Sequence, residues 1–502
     1  MYPSLWGYID SALSPRWQEA MICRAKSAPL SIHLAYCHSD VKFVAQHAFH
    51  IHELRLLGLR QTDLIQQLLT SPAPILEHLS LQSPAHTTVI LPADIFAGNT
   101  PSLHHIALDG VLFLWSASIF RNLTYLRVDP SHGSGTSINL RHESDTALQY
   151  DHLFGALARM PPLQTLDLAY CLPSRSHSQH PIGHTHTALP CLELLSLAGT
   201  LIECVDVANY LRIPSSSRVI LKCTGAPQRT DPGLVCFLET YISGGVALRL
   251  LTLSISLSKN YANQSESVNI KLWHMRSPSD ALPSFAPDQQ PFISISFPVS
   301  WHSWDLVNEI CSVLPLEDLH ILKVVYDHNK WSPKAWINIL GRCRLLEHVY
   351  IQGENVVHFC RLLARPVSGA AGTATVAVDL FFRHLKSLKV HDVDLLASVE
   401  HEGVRRPFND FLGVWLSTHM ELFMDKFKDA NGDEYDGKSD EECEGLCFEH
   451  SKLERLMISQ SSITEEAVGE FEDCIQNVVW DDDEGIYKEE SKEGSVGGYY
   501  MY

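Results

Sequence analysis

Four short clusters in this chain carry residue types and spacings that chemistry could use. The first is GDEYDGKS, Gly432 to Ser439. It fits G-x-x-x-x-G-K-S, in which backbone amides of a glycine-rich loop cradle phosphates, the lysine reaches the terminal phosphates and the serine holds magnesium. Its variable positions include Asp433, Glu434 and Asp436, three carboxylates that would repel a triphosphate. DEECEG follows where an apolar helix is required, so no nucleotide site is expected. The same segment imitates a calcium loop. Asp429, Asn431 and Asp433 fall at its first, third and fifth ligand positions, but Glu434 stands where a glycine should turn the loop and Asp440 where a glutamate should close it. Cys443, Cys447 and His450 offer three zinc ligands without a matching second pair. HSQHPIGHTH gathers His177, His180, His184 and His186. Such a tract can bind metal, yet it separates two apolar strand patterns where a solvated loop is needed. Nucleophile-elbow, zincin and dinucleotide patterns are missing in any suitable context. The expectation is no catalytic residue, no cofactor, no metal and no enzyme activity.

The elements around these clusters account for most of the chain. Of 502 residues, 45% are hydrophobic and 19% charged, a globular balance with ample material for a core. Formal net charge is −20. Residues 425–502 hold 23 acidic and 7 basic side chains, so most of that charge sits at the C-terminal end. Neither part offers a basic footprint for nucleic acid. No apolar run is long enough for a membrane helix, and the first residues lack the pattern of a secretory signal. Thirteen scattered cysteines read as reduced, mostly buried thiols, which points to the cytoplasm or nucleus.

One hexapeptide pattern recurs. LEHLSL (76–81), LQTLDL (163–168) and LELLSL (192–197) share L-x-x-L-x-L. With Ile or Val allowed, the pattern also covers 51–56, 103–108, 123–128, 248–253, 319–324, 346–351, 385–390, 453–458 and, as a last copy, 475–480. Proline precedes the first leucine in APILEHL, TPSLHHI, PPLQTL and LPCLELL, where it is expected to end the preceding helix and favour extended backbone. In x-L-x-L-x the two leucines point into a core and the flanking residues outward. One such unit cannot bury its own face, but a stack can. Helical patterns lie between copies, at 63–70, 152–160, 305–314, 332–340 and 463–475. SSRVILKC (216–223) is a further strand, and VNIKLWHM (268–275) with PFISISFPV (291–299) a strand pair. The expected architecture is an α/β, irregular leucine-rich-repeat solenoid. Parallel strands line its concave face, helices and loops its convex face, and a short helical segment opens the chain. Its parts are 1–45, a repeat body 46–480 with an acidic insertion 425–450, and an acidic disordered tail 481–502. Copies are 20 to 71 residues apart. Only Cys171 fits the Asn/Cys position of a regular repeat, so uneven curvature is expected.

The outward positions of these strands are His78, Ser80, Gln82, His105, Asp109, Tyr125, Arg127, Asp129, Thr165 and Asp167. Later strands add Lys323, His348, Tyr350, Gln352, Lys389, His391 and Arg455. Tyr and Arg are frequent binding hot spots, and the extended face of a solenoid is a common protein-binding surface.

The N-terminal stretch YPSLWGYID (2–10), then SPRWQEAMICRAKSAPLSIHLAY (14–36), resembles fungal F-box proteins of the irregular leucine-rich-repeat type found in mushroom-forming fungi. Pro3, Leu5, Trp6, Ile9, Arg24, Pro29 and Leu30 match the layout in which an F-box ends and a linker helix leads into the first strand. LPADIFAGNTPSLHHIALDG (91–110) and FRNLTYLRVD (120–129) look similar to the same family. The resemblance implies the substrate-binding part of a ubiquitin-ligase adaptor. Its protein substrate would lie on the concave face. The cullin-ligase linker protein would be a partner only through an F-box upstream of Tyr2. The alternative is a repeat scaffold with no ubiquitin role.

Overall fold

The structure, a computed structural model, describes residues 2–35, 42–59, 71–84, 89–130, 146–173, 186–225, 232–244, 249–260, 265–274, 290–300, 302–325, 336, 339–353, 356–357, 359–360, 366–367, 379–380, 384–401, 404–417 and 453–481. The fold is mixed α/β, with mostly parallel strands. The segments 425–450 and 482–502, the His177–His184 tract and the helical pattern 63–70 lie outside the described residues, as does most of 332–340. The chain forms two compact units. One comprises 1–248, 258–271 and 291–314; the other comprises 249–257, 272–290 and 315–502.

In the first unit ten strands pair side by side, all parallel. They are Tyr8–Asp10, Leu30–Ala35, Ile51–Leu57, His78–Gln82, His105–Asp109, Tyr125–Asp129, Thr165–Ala169, Leu194–Thr200, Arg218–Thr224 and Ile293–Pro298. The register places like residues beside like. One row runs Ile9, Ile32, Leu54, Leu79, Ile106, Leu126, Leu166, Leu195, Val219, Ile293, and no member is more than 1% exposed. Two residues on, Leu56, Leu81, Leu108, Val128, Leu168, Leu197, Leu221 and Ile295 form a second buried row. Each such side chain contributes roughly 1.5–3 kcal/mol by leaving water.

The second unit repeats the arrangement. Residues 252–257, the first part of the strand Thr252–Asn260, begin a parallel series continued by Ile321–Val325, His348–Gln352, Ser387–His391, Arg455–Ser459 and Asn477–Trp480. Its buried rows are Leu253, Leu322, Val349, Leu388, Leu456 and Ile255, Val324, Ile351, Val390, Ile458.

Each hexapeptide copy that falls on described residues leads into or forms a strand, and the residues before and after the strand also recur. The first leucine is buried and closes a turn. The amides of Leu76, Leu103, Leu163 and Leu192 donate to the carbonyls of Ala73, Thr100, Met160 and Leu189, three residues back. Pro74, Pro101, Pro161 and Pro190 each occupy the second place of that turn, where a fixed φ near −65° is preset for it. The proline therefore shapes a turn, a more specific role than ending a helix. After seven of these strands the next residue takes a left-handed backbone: Gly58, Gly110, Tyr170, Gly225, Gly353, Asp392 and Gln460 all have φ between 48° and 75°. Its amide continues the ladder in several copies, as from Gly110 to the Asp129 carbonyl (2.7 Å) and from Gly353 to the His391 carbonyl (3.1 Å).

Helices cover the buried side between strands. Thr146–Leu157, Ser303–Val313 and Glu465–Glu472 fall on expected helical patterns. Leu201–Tyr210 was not foreseen. It is held at its start by a capping box in which the Thr200 hydroxyl accepts from the Glu203 amide and the Glu203 carboxylate accepts from the Thr200 amide. Ile293–Pro298 was expected to pair with the strand now seen as Ser265–Trp273. It runs parallel beside Arg218–Thr224, with Leu221 opposite Ile295. At the N-terminus, Pro3–Trp6 is a short 3-10 turn and Tyr8–Asp10 a strand, followed by the helix Pro15–Ala25. Gly7 is required there, because a Cβ would lie 2.5 Å from the Pro29 carbonyl oxygen.

Among the described cysteines, Cys204, Cys223, Cys311, Cys343 and Cys360 are buried thiols, whereas Cys23, Cys191 and Cys236 are exposed. No helix among the described residues is long and apolar enough to cross a membrane.

Candidate functional site

The outward rows of each unit collect the polar side chains, because strand alternation forces the residues between the buried rows to the other face. In the first unit, one row runs Tyr8, Ser31, Glu53, His78, His105, Tyr125, Thr165. The next runs Asp10, His33, Arg55, Ser80, Ala107, Arg127, Asp167, Ser196. A third holds Leu57, Gln82, Asp109 and Asp129. All ten outward residues expected for this unit therefore lie on one face, in three adjacent rows.

Their contacts follow the register. The His105 and Tyr125 rings stack at 3.9 Å with planes 4° apart, and His78 packs on His105 at 5.1 Å. Arg127 Nε lies 3.7 Å from Asp167 Oδ2. Gln82 donates to Asp109 Oδ2 at 3.0 Å. His33 Nε2 stands 3.2 Å from Glu53 Oε1, and Arg55 Nε lies 2.6 Å from that same oxygen. Burial works to raise the Glu53 carboxyl, but Arg55 and His33 together outweigh it and hold the group below the usual carboxylate range. Burial, then the charges of His78 and His104, pushes the His105 imidazole down to about 4. Burial and His104 lower His78 in the same direction. At neutral pH His78 and His105 are therefore uncharged imidazoles, with the Arg55–Glu53 and Arg127–Asp167 pairs on the same face.

The second unit's outward rows differ in chemistry. One runs Ile321, His348, Ser387, Arg455, Asn477. The central row is Ser254, Lys323, Tyr350, Lys389, Met457. Both lysines flank the tyrosine: Lys323 Nζ is 4.9 Å and Lys389 Nζ 5.4 Å from the Tyr350 ring centre. The third row carries Gln352, His391 and Ser459. His391 Nδ1 is 2.9 Å from the Ser459 hydroxyl, and Gln352 donates to Asp392 Oδ2 at 3.2 Å. Burial raises the Tyr350 hydroxyl, with Asp392 acting the same way. Burial, then Lys389, lowers His391. All seven outward residues expected here share that face.

Sequence reading missed a row at the strand entries. His52, inside Ile51–Leu57, and Glu77, His104, Thr124 and Gln164, each one place before its strand, are linked by backbone bonds from each amide to the preceding carbonyl at 2.8–3.2 Å. Aligning IHELRL, LEHLSL and LHHIAL by their leucines puts His52, Glu77 and His104 in one column, and that is the signal that finds them. The chain matches no protein-family model and no curated protein.

Proposed function

We propose that this chain is a protein-recognition module, an irregular leucine-rich-repeat solenoid whose outward strand rows form the concave binding face. The observation that supports this reading most is the register. It collects Tyr125, Arg127 and Asp167 in one unit and Tyr350, Lys323 and Lys389 in the other, each set on the face opposite the buried leucine rows. Aromatic and cationic side chains held on rigid strands are the anchors such interfaces use. Activity as an enzyme is not part of this proposal.

The N-terminal resemblance extends the proposal to the substrate-binding part of an F-box-type ubiquitin-ligase adaptor, acting in the cytoplasm or nucleus. Trp6 and Arg24, two of the matching residues, make a cation–π contact at 4.5 Å, consistent with a fixed junction between the opening turn and its helix.

Affinity purification from native extract tests the recognition reading. Partners held by the wild type should be lost with Tyr125→Ala/Arg127→Ala or with Tyr350→Ala, each change costing about 2 kcal/mol or more of binding if the residue is a hot spot. They should be kept with Ile202→Ser, an exposed helix position. Partners indifferent to all face variants would overturn it. Recovery of the cullin linker subunit supports the adaptor role. Its consistent absence, with other partners still face-dependent, removes that role and leaves a repeat scaffold.

A further inference from the structure

We propose that His52, Glu77 and His78 bind a divalent transition metal ion, with zinc the best match, and leave a fourth position for water or a partner's side chain. The inference goes beyond protein recognition and does not depend on it. His52 Nε2 and Glu77 Oε2 are 3.2 Å apart, and one ligand atom from each of the three residues lies within 4.8 Å of the others. Tetrahedral zinc with bonds of about 2.0–2.2 Å spaces its ligand atoms by roughly 3.3–3.6 Å. One pair, at 3.2 Å, is already close to that spacing, and the remaining closure is within reach of a small side-chain rotation.

The backbone under the site is fixed. The Glu77 amide donates to the His52 carbonyl at 2.8 Å, and His104 donates to the Glu77 carbonyl at 3.2 Å. The ligands therefore come from neighbouring strand entries held by the sheet ladder, which favours a defined geometry. All three residues are half-buried, so the site is reachable from solvent while its side chains are confined. The His104 ring stands edge-on to His78 at 4.9 Å and the His52 ring edge-on to His78 at 5.8 Å, walling it on two sides. Two imidazoles and a carboxylate form a borderline donor set that suits zinc, copper and nickel better than calcium or magnesium. Three protein ligands with one open place is the pattern of a metal that meets an exogenous ligand, not one that is sealed for structure alone.

The test uses the full chain freed of metal with chelator, titrated with zinc by calorimetry and with cobalt by visible absorption. A tight phase with tetrahedral cobalt bands is expected. Glu77→Gln should weaken that phase roughly 100-fold, since even residues behind metal ligands are worth 10–100-fold. His78→Ala should do the same. Joint replacement of His177, His180, His184 and His186 by alanine should leave it unchanged. In the wild type, zinc should protect His52 and His78 from acylation by diethyl pyrocarbonate, mapped by mass spectrometry, which needs no variant to fold. If zinc at saturation fails to protect them, His52 and Glu77 form an ion pair and nothing more. Loss of the tight phase in the His177–His186 variant but not in Glu77→Gln would likewise overturn the proposal.

Discussion

The two units share a backbone plan and differ in what they show to solvent. Their buried rows are interchangeable in kind: Leu126, Leu166 and Leu195 in one, Leu322, Val349 and Leu388 in the other, all fully enclosed. Their outward rows are not. The first unit shows neutral His78 and His105 imidazoles, the latter stacked on Tyr125, and Arg–Asp or Arg–Glu contacts. The second shows a tyrosine between two ammonium groups. The difference teaches that the inward residues carry folding and the outward ones are free to carry chemistry, because alternation separates the two sets at every second position.

The sharpest way to break that division is to cross it. Leu166→Asp places a carboxylate in the buried row of the first unit and should destabilise by more than about 4 kcal/mol. Leu388→Asp should do the same in the second. Asp167→Ala, one residue away and outward, should cost less than about 1 kcal/mol, since Arg127 loses only a part-exposed partner. Denaturant midpoints measure all three. Equal tolerance of Leu166→Asp and Asp167→Ala would show the register to be wrong.

A smaller contrast concerns glycines. Gly110 ends its strand at φ 66°, so Gly110→Ala should destabilise by about 1–2 kcal/mol. Gly155 lies in the helix Thr146–Leu157 with open space where a Cβ would go. Gly155→Ala should therefore stabilise by up to about 1 kcal/mol. Thermal melts of the two variants should move in opposite directions.

What could be read from sequence divides along the same line. L-x-x-L-x-L located the strands and told inside from outside, because burial at period two is a strong local signal. The turn prolines were visible as residues, but their place in the turn was not, since helix termination and a turn's second position both suit proline. The left-handed residue after seven of the strands was hidden, because Gly58 and Gly110 share that conformation with Tyr170, Asp392 and Gln460, which do not announce it. The helix Leu201–Tyr210 starts at Thr200 directly after a strand, so its apolar run merged with the strand pattern. Of the candidate site, the outward residues followed from alternation. The His52–Glu77–His78 group did not, because it joins residues 26 apart through a pairing that needs the register.

The histidine strip should respond to pH with a definite sign. His105 titrates at about 4 in the fold, below its ordinary 6.5, because burial and the neighbouring His78 and His104 disfavour its charged form. Between those values the unfolded chain binds the proton and the folded chain does not, so stability falls as pH drops from about 6.5 to 4 and changes no further below that. The group is half-exposed, so solvent screening limits the loss to about 1 kcal/mol. With chelator present, His105→Gln should flatten this part of the pH profile. His391 in the second unit is shifted the same way by burial and Lys389, so His391→Gln should flatten it in the same sense.

The finest test compares the two aromatic contacts. In the second unit, a double-mutant cycle between Lys389→Met and Tyr350→Leu should give a coupling near 0.5 kcal/mol, the size of an exposed cation–π contact. The Lys323→Met cycle should give as much, since its ammonium is slightly closer to the ring. In the first unit, the His105–Tyr125 stack should couple by about 0.5–1 kcal/mol through ring–ring contact. High salt separates the two: it should erode the lysine couplings and leave the stacked pair unchanged, because screening acts on the ammonium charge and not on contact between uncharged rings. Lysine couplings that persist in high salt would mean that the lysine stems pack on Tyr350 by apolar contact. The contrast between the faces would then be one of shape and not of charge.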